Sequence, residues 1–287
     1  AGRFAGAADG IVIMRNVLPD WAVRILVLTL LLPALLTALD GFFRARRRHV
    51  VVTPWIAWLG WAGAPVLAAW LWARLLGMTG ALHAPQALVP PSAVPIHTGD
   101  AIALVSVLVV AGLAWLALRP LAGASRTARG SAAAGGLAAG LGLVITLAAT
   151  LAWLVNPYLA ALALPAAHLW LFTAAPGSRF RGAGAVVAIA AGIALPAIAV
   201  LVYLLVFATG PLALAWLTML GVASGHVSAA TLLVAAGFVA ALAGVVRIVA
   251  ARRRMQRAAP PDPIRTRGPL SYAGPGSLGG TESALRR

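Results

Sequence analysis

One stretch limits what this chain can become more than any other. Trp21 to Leu39 is apolar but for Arg24, Thr29 and Thr37; Asp40-Gly41-Phe42-Phe43 closes it, and Arg44, Arg46, Arg47 and Arg48 follow at once, ahead of His49. A helix of about 20 apolar residues rises about 30 Å, the depth of a hydrocarbon layer, and satisfies its own backbone on the way. Short connections rich in arginine stay on the cytoplasmic side. The expectation is a spanning helix over 21–43, entered from outside, with Arg44, Arg46, Arg47 and Arg48 fixing its direction. Asp20 stands at the N-cap, Trp21 at the outer interface, and Arg24 can extend its charge outward. Pro33 should kink the helix. Residues 1–20 read as a short, mixed external segment that does not fold alone.

Further apolar spans fall at 54–76, 101–118, 135–155, 158–174, 185–207 and 228–250. The piece 211–223 is too short to cross and reads as interfacial or re-entrant. With seven crossings, N-terminus out and C-terminus in, all 22 basic residues except Arg3, Arg15, Arg24 and Arg74 fall inside. Arg252, Arg253 and Arg254 obey that count only if 211–223 does not cross. The fold class is thus an all-α polytopic membrane bundle over 21–250, followed by a disordered basic tail over 251–287 that can rest on anionic lipid head groups. Trp55, Trp58 and Trp61 recur every three positions, an aromatic stripe expected near the inner interface; Trp70 and Trp72 mark the outer one, where Arg74 can also reach outward. Pro54 suits a first turn, Thr98-Gly99-Asp100 caps the third span, and Asn156-Pro157 caps the fifth. Gly136 and Gly140 form a small-xxx-small pair suited to close helix contact.

Composition narrows the function. The chain is 62% hydrophobic and 10% charged, where a soluble globular chain carries about 25% charged residues. Its net charge of +16 lies in connections between apolar spans. No aromatic-basic platform of the kind that binds single strands is visible, so nucleic acid is not an expected partner. With no Cys, disulfides, thiolate metal sites and cysteine nucleophiles are excluded.

Little remains that could do chemistry. The six acids are Asp9, Asp20, Asp40, Asp100, Asp262 and Glu282. Asp40 precedes Arg44 by one helical turn and reads as its ion-pair partner, the alternative being a proton relay. No intramembrane carboxylate pair exists to couple protons. His168 lies near the middle of the fifth span, where a neutral imidazole bonded to a neighbouring helix is the simplest reading and a functional polar group the sharper one. His83, His97, Asp100 and His226 share the external side and could in principle ligate zinc, but their spacing matches no metal motif and loop histidines are the default. Neither HExxH, GxSxG, a Walker A loop nor a dinucleotide fingerprint occurs. No catalytic residue and no cofactor is expected in this chain.

Two stretches carry a resemblance. Leu18-Pro19-Asp20-Trp21-Ala22 through Asp40-Gly41-Phe42 with Arg44–Arg48, and Asn156-Pro157-Tyr158-Leu159-Ala160 through Pro165-Ala166-Ala167-His168-Leu169-Trp170, resemble the membrane region of an actinobacterial family. In that family an external zinc-aminopeptidase-like domain of peptidase clan MH precedes a polytopic membrane domain. The resemblance covers most of residues 15 to 250. It implies a zinc-bearing domain covalently linked ahead of Ala1, and none of that domain's ligands maps onto a residue here. A start at Ala1-Gly2-Arg3 without Met, before an outward-facing first helix, gives the same expectation of a fragment. The leading expectation is a domain that anchors and positions an external peptidase-like domain. The alternatives are a transporter component with a path past His168, and a membrane-embedded enzyme acting on lipid-linked substrates at the outer face.

Overall fold

The computed structural model describes residues 10–13, 16–82, 98–123, 130–175, 177–180, 182–206 and 210–258. Two short antiparallel strands, β1 (Gly10–Ile13) and β2 (Asn16–Pro19), pair with Gly10 opposite Pro19 and Ile13 opposite Asn16. They lie against the helix that follows. The segment expected not to fold alone carries this strand pair within residues 10–19, supported by contact with the helix that follows rather than by its own length. The helices are α1 (Asp20–Arg47), α2 (Thr53–Met78), α3 (Thr98–Ala117), α4 (Arg119–Gly123), α5 (Gly130–Val155), α6 (Pro157–Ala174), α7 (Ala183–Val206), α8 (Pro211–Ala223) and α9 (Ala229–Ala258). Among the described residues, seven helices are long and apolar enough to cross a membrane, and α8 is the shorter apolar helix between the last two. The architecture is the expected all-α polytopic bundle.

Helix limits differ from the sequence reading where charge was taken as a boundary. α1 does not stop at 43 but continues to Arg47, so Arg44, Arg46 and Arg47 occupy its last turn, where cations offset the C-terminal partial charge. Its N-cap position is held by Pro19, with Asp20 the first helical residue; the fixed φ of proline ends the strand and starts the helix. α3 begins at Thr98 itself, with Asp100 in its first turn. A further five-residue helix, α4, lies where a plain connection was expected. The chain divides into two units after Ala251, and Arg252 to Ala258, expected to begin the disordered tail, are the helical end of α9. Residues 259–287 lie outside the described residues.

Antiparallel packing follows from pairs far apart in sequence. Late in α1, Ala38 meets Gly142 in the first half of α5, while Trp153 near the end of α5 donates its indole N–H to the Arg24 carbonyl near the start of α1 at 3.0 Å. α2 packs on α3, α5 and α8, α5 on α6, and α6 on α7. Leu59, Leu141 and Val245 are fully buried where α2, α5 and α9 meet. The outward faces stay apolar: Ile25, Leu26 and Leu32 on α1 and Ile102, Leu108 and Leu113 on α3 are each more than half exposed. A helix apolar all round with such a surface suits a lipid environment, not water.

The aromatic stripe of α2 turns inward, a direction that its spacing left open. Trp55 and Trp58 are buried, 3% and 8% exposed, and belong to the bundle core. They fit because α5 offers glycines: a Cβ on Gly136 would sit 2.5 Å from the Trp55 indole nitrogen, and one on Gly140 3.4 Å from the Trp55 Cβ. The Gly136/Gly140 pair thus receives a side chain rather than a backbone. Backbone contact occurs instead at Gly63, where a Cβ would lie 2.8 Å from the Ala236 carbonyl oxygen of α9. Gly60, one turn earlier on α2, meets nothing within 4 Å. Gly63→Ala is expected to lower the unfolding midpoint in detergent, followed by indole fluorescence, with a loss of about 1–3 kcal/mol. Gly60→Ala should leave stability unchanged or raise it by up to about 1 kcal/mol. Equal effects at the two positions would contradict the α2–α9 contact.

Candidate functional site

Among the described residues, the polar residues singled out by sequence do not gather in one place. Asp40 pairs with Arg44 one turn later on α1, with both side chains about half exposed. Asn156 caps α6: its Oδ1 accepts from the Tyr158 N–H at 3.0 Å and the Leu159 N–H at 3.3 Å, and Pro157 takes the first position. Both roles are local and structural. His226 is exposed and shares a hydrogen bond between Nδ1 and the Ser224 Oγ at 2.6 Å. Asp100 lies in the first turn of α3, while His83 and His97 lie outside the described residues. Among the described residues no three His, Asp or Glu come close enough to hold a metal ion.

His168 is the exception to local satisfaction. It stands in the interior of α6, and its Nε2 is buried without a hydrogen-bond partner. The interhelical bond expected for this imidazole is not made at that nitrogen. A buried imidazole that forgoes a bond costs more than an apolar side chain of similar size. His168 lines none of the three cavities described below. His168→Leu should therefore raise the unfolding midpoint, by about 1 kcal/mol or more in stability; a fall would show that the ring is held by a bond at Nδ1.

The cavities sit at opposite ends of the bundle. The first, of about 310 Å³, lies between the C-terminal turns of α1 and α6 and the N-terminal half of α5, and is lined by Arg44, Arg48, Thr37, Gly135 and Ala139 among others. The second, of about 380 Å³, is lined by Trp58, Trp61, Trp115, Arg119, Ala122 and Arg247. It belongs to the same end, because Gly136 of α5 approaches both Trp55 of α2 and Val50, which lines the first cavity. Here Trp61 stacks on Trp115 at 5.1 Å and donates its indole N–H to the Trp115 carbonyl at 2.8 Å. The Arg247 guanidinium carbon lies 4.5 Å from the Trp58 ring centre and 5.0 Å from that of Trp55, a cation held against indole faces inside the bundle. Sequence reading placed Arg247 by charge count alone; spacing gave no sign of this contact.

The third cavity, of about 510 Å³, gathers the opposite end: Trp70 and Ala73 of α2, Val200 and Leu204 of α7, Met219 of α8 and Leu232 of α9. α8 therefore lies beside the C-terminal half of α2, at the end where α7 stops and α9 starts, and does not traverse the bundle. Arg74 fixes it there. Its Nη1 donates to the Ala223 carbonyl, the last residue of α8, at 2.7 Å, so the cation meets the negative end of a helix. Gly225, at φ +83°, leaves room for the guanidinium, and Gly77 lies against the Ala223 backbone. Sequence placed Arg74 near this end and able to reach along its helix; the acceptor there is the Ala223 carbonyl. Arg74→Gln is expected to speed hydrogen exchange at the α8 amides and to cost about 1.5–3 kcal/mol, the range for a hydrogen bond to a charged group, with α6 exchange unchanged.

No family model, curated protein or solved structure matches the chain.

Proposed function

We propose that this chain is the membrane-embedded anchoring and positioning part of a larger envelope protein, oriented with its N-terminal hairpin outside. The observation that supports this reading is the junction at Pro19–Asp20. β2 ends at Pro19 and α1 begins at the next residue, so no free linker separates the hairpin from the first spanning helix. The hairpin itself is thereby held at a set distance from the first spanning helix, the kind of fixed junction that positioning requires. The resemblance to membrane regions that follow zinc-aminopeptidase-like domains supplies the kind of domain, and zinc would belong to it.

The orientation rests on charge. Arg44, Arg46, Arg47, Arg48, Arg119 and Arg247 belong to one end of the bundle, and Arg24 and Arg74 to the other. Arginine-rich ends stay in the cytoplasm of the cell membrane.

The absence of Cys makes single-cysteine labelling direct. Thr79→Cys should react with a membrane-impermeant maleimide in intact cells, and Ser178→Cys only after permeabilisation. Protease treatment of spheroplasts carrying the protein as it occurs in its native membrane should release a soluble fragment that hydrolyses aminoacyl anilides and loses this activity to a zinc chelator. Reversed labelling would overturn the orientation; a native membrane protein that yields no such fragment would overturn the anchoring role.

A further inference from the structure

We propose that the cavity between α1, α5 and α6 is a binding site for one anionic phospholipid, its phosphate held by Arg44 and Arg48 and one acyl chain laid along the small-residue wall. This rests on the bundle spanning a membrane and is independent of any anchoring role. Along α1 the lining runs from Thr37 to Arg48, about 16 Å at 1.5 Å per residue. It thus begins at the charged helix end and reaches into the level of the apolar core, the course a lipid molecule takes.

The wall explains why a chain, rather than water, fills the space. Gly41, Gly135, Ala138, Ala139 and Gly142 set the helix surfaces back and present almost no polar atoms. The Thr37 hydroxyl is already committed to the Pro33 carbonyl at 2.7 Å. A volume of about 310 Å³ would take roughly ten waters at about 30 Å³ each, and a buried water needs two to four polar partners. Of the lining side chains only Thr37, Arg44 and Arg48 carry polar groups, so water finds partners at the arginine end but few along the small-residue wall. The cavity is partly open to the outside of the bundle, so a flexible hydrocarbon chain can enter it from the bilayer, and it is the occupant that matches the apolar wall.

Charge selects the head group. Arg44 and Arg48 line the cavity, and Asp40 pairs with Arg44, which leaves one positive charge in excess. A phosphodiester without a head-group cation neutralises it; the amine of a zwitterionic lipid would meet the same arginines and be repelled. The C-terminal dipoles of α1 and α6 oppose an anion with about half an elementary charge each. Arg46 and Arg47, exposed in the last turn of α1, more than offset them. Interhelical basic pockets at the cytoplasmic face are where such head groups bind. The neighbouring cavity is a weaker candidate, because its Arg247 is already stacked on Trp55 and Trp58.

The full chain in detergent, with unfolding followed by indole fluorescence, provides the test. Titration with phosphatidylglycerol should raise the midpoint saturably, and native mass spectrometry should retain one lipid per chain. Phosphatidylcholine with the same acyl chains, and the water-soluble deacylated head group glycerophosphoglycerol, should do neither. Arg48→Gln should weaken the apparent affinity about tenfold or more. Gly135→Leu should do the same by filling the cavity, since a Cβ there meets nothing within 4 Å. Arg179→Gln, outside the lining, should leave it unchanged. Equal shifts with both lipids, a full shift with the deacylated head group, or unaltered binding by Arg48→Gln would each overturn the site. If Gly135→Leu does not fold, the Arg48→Gln result decides alone.

Discussion

Helices that share a hydrocarbon solvent gain little from burying apolar surface against one another, because lipid tails are as apolar as leucine. What holds them is contact at van der Waals distance, and that depends on shape. In this bundle the shape is set by indoles seated in glycine notches. Trp55 of α2 enters the space left by Gly136 on α5. Trp170 of α6 presses on Gly192 of α7, where any Cβ would collide with its ring, and also meets Phe238 of α9 at 5.7 Å. Each notch commits two helices to one rotation and one depth. A void in such a seam loses its contacts outright, since dispersion falls off within an ångström.

Hydrogen bonds between helices obey a related economy. Thr37, Thr150, Thr173 and Thr218 return their hydroxyls to carbonyls of their own helix, four residues back. These bonds stay within one helix and tie it to no neighbour. The ties come mainly from indole N–H groups, which have no local acceptor within reach: Trp61 to the Trp115 carbonyl, Trp72 to the Ser106 hydroxyl, and Trp153 to the Arg24 carbonyl. A carbonyl already bonded within its helix keeps a second lone pair for such a donor. Tryptophan thus supplies both the bulk and the polar contact. Trp216, buried with an unpartnered Nε1, is the case where the bulk is used and the bond is not.

These mechanisms mark what sequence could and could not reveal. Length and apolarity sufficed for the seven long helices and for α8, whose limits at Pro211 and Ala223 follow from Gly210 before it and Ser224-Gly225 after it. The Asn156 cap was legible because an Asn-Pro pair before an apolar run has few other uses. The direction of the Trp55 stripe was not, because a period of three defines a face without saying whether core or lipid lies beyond it. The partner of Arg74 was not legible for the same reason: a cation near a helix end can reach water or a neighbouring C-terminus, and only the placement of α8 decides. The hairpin at residues 10–19 needs α1 as its support, and no local pattern encodes that support.

The arginines show how one set of residues meets several demands. A guanidinium cannot be deprotonated in a protein and so must find water, a lipid phosphate, a carbonyl or an aromatic face. Arg74 takes a helix terminus and Arg247 takes two indoles, and each holds two elements together. At the end of α1 the cluster exceeds what Asp40 can neutralise, so its surplus charge must be met from outside the protein. Surplus positive charge beside an apolar helix is also what directs membrane insertion in general. A bundle that orients itself by unbalanced charge necessarily presents that charge at the membrane surface, where anionic lipid is the counterion closest at hand.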